Sequence, residues 1–149
     1  MITVKTNINV VSTRLLRKLD VLRNPKPLLR LVALDVLVLI TERIHEEGKA
    51  ADDSKIGEYN NNYLRLRQKK NKRSADKKII VSLTRQLEND WSVLATEKGW
   101  GIGFKNNLNA QKLQWVEEQK NKKIGALTKS EKEYAINKLK NLIGKELNS

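Results

Sequence analysis

An apolar run over residues 28–40, broken only by Arg30 and Asp35, most constrains how this chain folds. It is too short and too interrupted to span a bilayer, which takes about 20 apolar residues. The rest of the protein must therefore cover it. Its borders are helical: Asn24 is a good N-cap, Pro25 suits a first helical position, and Gly48 is a natural residue at which to stop. The sequence predicts one long helix from about residue 25 to 47, apolar on most sides and central to the core. Each fully buried Leu, Ile or Val in it contributes about 1.5–3 kcal/mol.

Shorter elements surround this helix. Ile2, Val4, Ile8 and Val10 alternate with polar residues, which predicts a short strand or extended arm over about 1–12. Ser12 or Thr13 can cap a helix of about 13–23 with Leu15, Leu16, Leu19 and Leu22 on one face. Residues 48–62 read as a loop. Tyr63-Leu64-Arg65-Leu66-Arg67 alternates like a strand and runs into a basic stretch, which together predict an extended basic loop over about 63–78. Ile79, Ile80 and Val81 form a short apolar stretch, followed by a helical turn or two through Leu83 and Leu87.

A β-hairpin is predicted at about 91–104, turning at Glu97-Lys98-Gly99. Trp100, Ile102 and Phe104 share one face of its second strand. Gly101 and Gly103 share the other, where a backbone or bulky side chain can approach closely. These five residues are candidate subunit contacts. Asn109 is placed to cap a helix of about 110–121 carrying Leu113 and Val116. Thr128-Lys129-Ser130-Glu131 is a capping box opening a last helix with Ile136, Leu139, Leu142 and Ile143. The expected fold is α+β, one domain over 1–149: a long central helix packed on a small antiparallel sheet with a β-hairpin, and a C-terminal helix.

The 149 residues carry 30 Lys+Arg against 17 Asp+Glu, a net charge of +13. Residues 62–89 alone hold nine basic and two acidic side chains, so over half of the excess lies in under a fifth of the chain. Its densest part is Arg65, Arg67, Lys69, Lys70, Lys72, Arg73, Lys77 and Lys78, with Tyr63 at its edge. Such a cluster is either a solvated loop or a contact for nucleic acid or an acidic protein surface. Tyr63 with Arg65 and Arg67 has the composition of a stacking clamp for single strands.

Catalytic and metal chemistry finds little support. With no Cys and one His, thiolate catalysis, disulfides and multi-His metal sites are excluded within one chain. Glu42, His45 and Glu46 suggest half of a di-metal carboxylate site, without a second half. Asp52-Asp53 lacks the ligand spacing of a calcium loop. Gly99, Gly101 and Gly103 do not join a strand to a helix and so do not form a phosphate loop. No catalytic residue, cofactor, metal or membrane partner is expected, and the N-terminus lacks the plan of a signal peptide.

The order of the pieces resembles the virion morphogenesis, or tail completion, family of Mu-like and related tailed phages. The matching stretches are PLLRLVALDVLVLITERIHEEGKAADDSKIGEYNNNYLRLRQKK, KIIVSLTRQLENDWSV, GWGIGFKNN and WVEEQKNKKIGALTKSE, together about residues 27–133. The family's pattern is a long helix, a Gly/Asp-rich loop with an aromatic, a basic segment, a Leu-Thr turn, a Trp-Gly-x-Gly-Phe hairpin and a Leu-Thr-x-x-Glu helix start. Here those later pieces fall at 56–59, 82–87, 100–104 and 127–131. Arg85 departs from the pattern, since many members carry Gly there. The resemblance implies a non-enzymatic α+β subunit of the virion neck. It implies a ring, often sixfold, of copies of this chain between the portal-side connector and the tail terminator or tube, with genomic DNA passing through the channel. A basic nucleic-acid-binding protein without enzymatic activity is the alternative expectation.

Overall fold

The computed structural model of the chain describes residues 8–70, 76–82 and 84–149. The central helix, α2 (Lys26–Glu42), buries Leu28, Val32, Ala33, Val36 and Ile40. The i, i+4 spacing of four of these lines one face, and Ile44 continues it. Leu31, Leu34 and Val38 point the other way, and Val38 is 62% exposed. The run that reads as apolar on most sides is therefore buried on one face only. Pro25 takes the N-cap place assigned to Asn24, with no side-chain cap. Asn24 instead donates its backbone N–H to the Asp20 carbonyl, 2.8 Å away, extending the preceding turn.

Beyond Glu42 the helix widens into a π turn, Arg43–Glu47, and stops at Gly48 with φ +67°. A Cβ on Gly48 would lie 2.6 Å from the Ile79 carbonyl oxygen, so both the positive φ and the close approach require glycine. Three successive residues of this turn, Arg43, Ile44 and His45, are buried, because other segments wrap the helix end on several sides. The Arg43 guanidinium donates to the carbonyls of Lys49 (3.0 Å), Ile124 (3.1 Å) and Ala126 (2.9 Å) and to both carboxylate oxygens of Glu131, the Nε–Oε1 distance being 2.6 Å. All five of its N–H groups are used. His45 lies between the Ile80 carbonyl, 2.8 Å from Nδ1, and the indole N–H of Trp91, 2.8 Å from Nε2. An indole nitrogen only donates, so Nε2 accepts and Nδ1 carries the proton toward Ile80.

The hairpin forms as expected. Strands β1 (Trp91–Thr96) and β2 (Gly99–Phe104) pair antiparallel from Trp91↔Phe104 to Thr96↔Gly99. Glu97 and Lys98 make the loop, and Gly99 (φ +150°) is already the first residue of β2. The rings of Trp91 and Phe104 lie 4.1 Å apart and pack with Ile102 against the α2 core. A single turn of helix, α4 (Gln86–Asp90), leads into β1. Its N-cap is Arg85 in the left-handed region, φ +62°, a conformation that favours glycine. Val81, at φ +48°, is strained more severely because it is β-branched.

Helix α5 (Asn107–Lys120) is capped by Asn106, which accepts from the Leu108 N–H, and not by Asn109. Asn109 is buried and donates to Asp90, which also accepts the Asn106 N–H; both bonds are 2.9 Å and both hold the Asp90 carboxyl below its usual value. The last helix, α6 (Lys129–Asn148), opens on the Thr128–Glu131 capping box and lies along α2, with Tyr134 and Lys138 both reaching Asp35. Leu139 and Leu142 pack on the core, whereas Ile136 is exposed.

Two further expectations need correction. The N-terminal arm of about 1–12 is helical from its eighth residue: α1 spans Ile8–Arg23, so Ser12 and Thr13 sit inside it and not at its start. The remainder of the arm, residues 1–7, lies outside the described residues. The basic stretch is not an extended loop at its start, because α3 (Asn61–Lys70) is a helix. Among the described residues no helix is long and apolar enough to cross a membrane.

Two substitutions test this account. Glu131→Ala leaves the Arg43 charge buried without its counter-ion and lowers stability by about 3–5 kcal/mol. Thr128→Ala removes only the cap, at about 1 kcal/mol. Because Glu131 also accepts the Thr128 N–H as half of that cap, the excess loss of Glu131→Ala over Thr128→Ala in urea unfolding reports the ion pair. Arg85→Gly relieves the left-handed backbone at a smaller entropic cost in the unfolded chain, raising the unfolding free energy by about 0.5–1 kcal/mol in the same assay.

Candidate functional site

Helix α3 begins where Asn60 accepts the Tyr63 N–H at 2.7 Å, a capping bond that turns the Asn-rich loop into a helix. Helical spacing then puts Tyr63 and Arg67 on one face, one turn apart. Tyr59, just before the helix, joins them: the two tyrosine rings are 5.1 Å apart, and the Arg67 guanidinium carbon sits 4.4 Å from the Tyr59 ring centre and 6.0 Å from that of Tyr63. Arg67 is 1% exposed. The hydroxyl of Tyr59 accepts from Arg67 Nη1 and from the Ile80 N–H, both at 3.3 Å. Burial pushes the Tyr59 phenol above its usual value, and the Arg67 charge opposes this. The phenol is therefore neutral near pH 7.

The predicted basic cluster thus divides. Arg65 and Lys69 are exposed on α3, whereas Arg67 is turned inward. Lys70 ends the helix. Lys72 and Arg73 lie outside the described residues, as does Leu83. Lys77 is exposed, and Lys78 is half-buried at a bridge to Glu58, with its ammonium 4.0 Å from Asp76.

A cleft of about 770 Å³ opens beside Arg67. Tyr59 and Tyr63 line one part of it; Ile79, Val81 and Val116 supply apolar wall, and Lys112 and Lys120 add positive charge. Arg67 Nε and Nη2 are buried without a hydrogen-bond partner. Tyr59, Val81 and Lys120 were not among the candidate site residues read from the sequence. The signal available was the four-residue spacing of Tyr59, Tyr63 and Arg67, which an alternating reading of residues 63–67 conceals.

The hairpin candidates face inward more than outward. Ile102 and Phe104 pack on the core, and the Trp100 indole donates to the Lys26 carbonyl at 2.9 Å with Arg30 over its ring. A Cβ at Gly101 would meet Thr96 Cγ2 at 3.3 Å, and one at Gly103 would meet Leu94 Cδ1 at 3.4 Å. The side chains that approach these glycines belong to the neighbouring strand. Among the polar residues weighed for metal chemistry, Glu42 and Glu46 are exposed while His45 is buried against Trp91, and no group of three metal-ligating side chains occurs among the described residues. Asp52 accepts from the hydroxyl and N–H of Ser54, bonds that hold its carboxyl below its usual value and make it a turn former.

Comparison with protein-family models, curated proteins and solved structures gave no match.

The Tyr59 hydroxyl is the joint between α3 and the 79–82 segment. Tyr59→Phe leaves a buried guanidinium N–H and the Ile80 N–H without that acceptor, lowering stability by about 1–3 kcal/mol. Urea unfolding measures the loss, and amide exchange at Ile80 accelerates.

Proposed function

We propose that this chain is a structural subunit of a tailed-bacteriophage virion, assembled as a ring of copies of itself at the neck. There it joins the portal-side connector to the tail terminator or tube. The observation that supports the reading best is the uncovered apolar face of α1. Leu15, Leu19 and Leu22 follow one another at i, i+4 and i+7, Val11 precedes them by one turn, and all four are exposed. A helix of 16 residues is marginal in water without tertiary packing, and α1 rests on α6 with these leucines still bare. Leu31, Leu34 and Val38 leave a second bare stripe on α2. Apolar stripes of this kind mark protein–protein contacts. In a closed ring each such contact repeats around the axis, so modest interfaces add up to a stable assembly.

The ordered set of motifs supports the choice of assembly. Exposed Arg65, Lys69 and Lys77 give the subunit a positive surface suited to the DNA in a neck channel or to an acidic face of the next ring.

Electron microscopy and mass spectrometry of purified phage particles test the reading. The expected result is this chain in ring density between portal and tail. In parallel, Leu15→Glu/Leu19→Glu converts the purified oligomer to a monomer in native mass spectrometry, with helical circular dichroism retained. Absence of the chain from purified particles overturns the proposal. Steeply salt-dependent binding to nucleic acid in dilute solution then selects the alternative.

A further inference from the structure

Two arginines are buried among the described residues, and both are held by aromatic or carbonyl neighbours. They differ along one edge. At Arg43 the Nε–Nη2 edge of the guanidinium faces both oxygens of the Glu131 carboxylate. At Arg67 the same two atoms, Nε and Nη2, have no partner, while Nη1 is tied to Tyr59. Nε and Nη2 lie on one side of the planar group and donate in parallel, the geometry that accepts a carboxylate or phosphate through two bonds. A buried, charged group with two unmet donors is costly in a folded protein, and a ligand that meets them recovers that cost.

The surroundings match an anionic ligand. Arg67 lines the cleft together with Lys112 and Lys120, and Glu58 is the one acid among the described lining residues. Ser82, Thr84 and Gln119 add neutral polar groups, and Val81, also in the lining, carries a strained backbone, as residues around ligand sites do. We propose that this cleft binds an oxyanion, a carboxylate or phosphate group, clamped by the Nε–Nη2 edge of Arg67. The positive charge of Lys120 assists it, and Ile79, Val81 and Val116 pack on whatever carries it. The edge is closed to bulk water, so the entering group is small, and side chains beside the edge move to admit it. The inference uses only the surroundings of Arg67 and does not rest on the virion reading.

The test is a titration of the full chain with inorganic phosphate, and separately with acetate, at constant ionic strength set with chloride. The readout is the Arg67 Nε–H resonance in NMR, together with the thermal midpoint. The expected result is a saturable shift of that resonance and a rise in midpoint with at least one anion on the order of 10 mM or below. The tighter of the two distinguishes a phosphate from a carboxylate source. Arg67→Lys keeps the charge but loses the paired donors, and weakens binding at least about tenfold. Lys120→Met weakens it by a few-fold. No saturable shift with either anion overturns the proposal. So does a stabilisation by anion that Arg67→Lys leaves unchanged, because it reports charge and not the fork. The wild-type resonance keeps the test decisive if the lysine variant does not fold.

Discussion

The buried ion pair between Arg43 and Glu131 joins the end of the central helix to the start of the last one. Arg43 stands at the end of the central helix, Glu131 in the first turn of the last, 88 residues later. Between them the guanidinium collects the carbonyls of Lys49, Ile124 and Ala126. Each of those carbonyls belongs to a loop and needs a donor once it is buried. Glu131 in turn accepts the Thr128 N–H, so the counter-ion of the core arginine is also half of a helix cap. A buried pair of this kind returns its desolvation cost only when every donor and acceptor is matched, as here all five guanidinium N–H groups are. Everything that packs around the helix end depends on that match.

His45 extends the same arrangement by one residue. It ties the Ile80 carbonyl to the Trp91 indole, and Trp91 stacks on Phe104 at the root of the hairpin. The π turn makes this possible, since Arg43 and His45 face different segments while Ile44 fills the core between them. Among the described residues the two-stranded sheet has no further strands to stabilise it. It is held by the apolar side chains it lays on α2 and by these hydrogen bonds. The positive backbone angles at Val81 and Arg85 fall in the segment that must leave Ile80 beside His45 and still enter β1.

The outer surfaces have a different character. Leucines on α1 and a stripe on α2 are bare, while basic residues of α3 face solvent. The chain thus has its own core and also bare apolar stripes, the feature on which the proposed role as a subunit of a larger assembly rests. The cleft at Arg67 is separate from those stripes. It is concave and lined by Arg67, two lysines and two tyrosines, the features on which the proposed anion binding rests.

Much of the fold was legible in local sequence. The apolar run, Gly48, the hairpin and the Thr128–Glu131 box each depend on spacing or on a conformation that few residues adopt, and each appears where the pattern put it. Local pattern failed where two structures were possible for the same residues. Tyr63 to Arg67 alternates, yet Asn60 caps it into a helix, and Ile8 and Val10 belong to an alternating pattern yet join α1. The site was legible only as composition. Basic residues in a row announce charge, but whether a given arginine faces water or the core depends on what the rest of the chain brings beside it. Arg43 and Arg67 look alike in sequence. Local spacing brings Tyr59 and Tyr63 to Arg67 from within eight residues, whereas only tertiary structure brings Glu131 to Arg43 across 88 residues and closes the chain over both guanidinium groups.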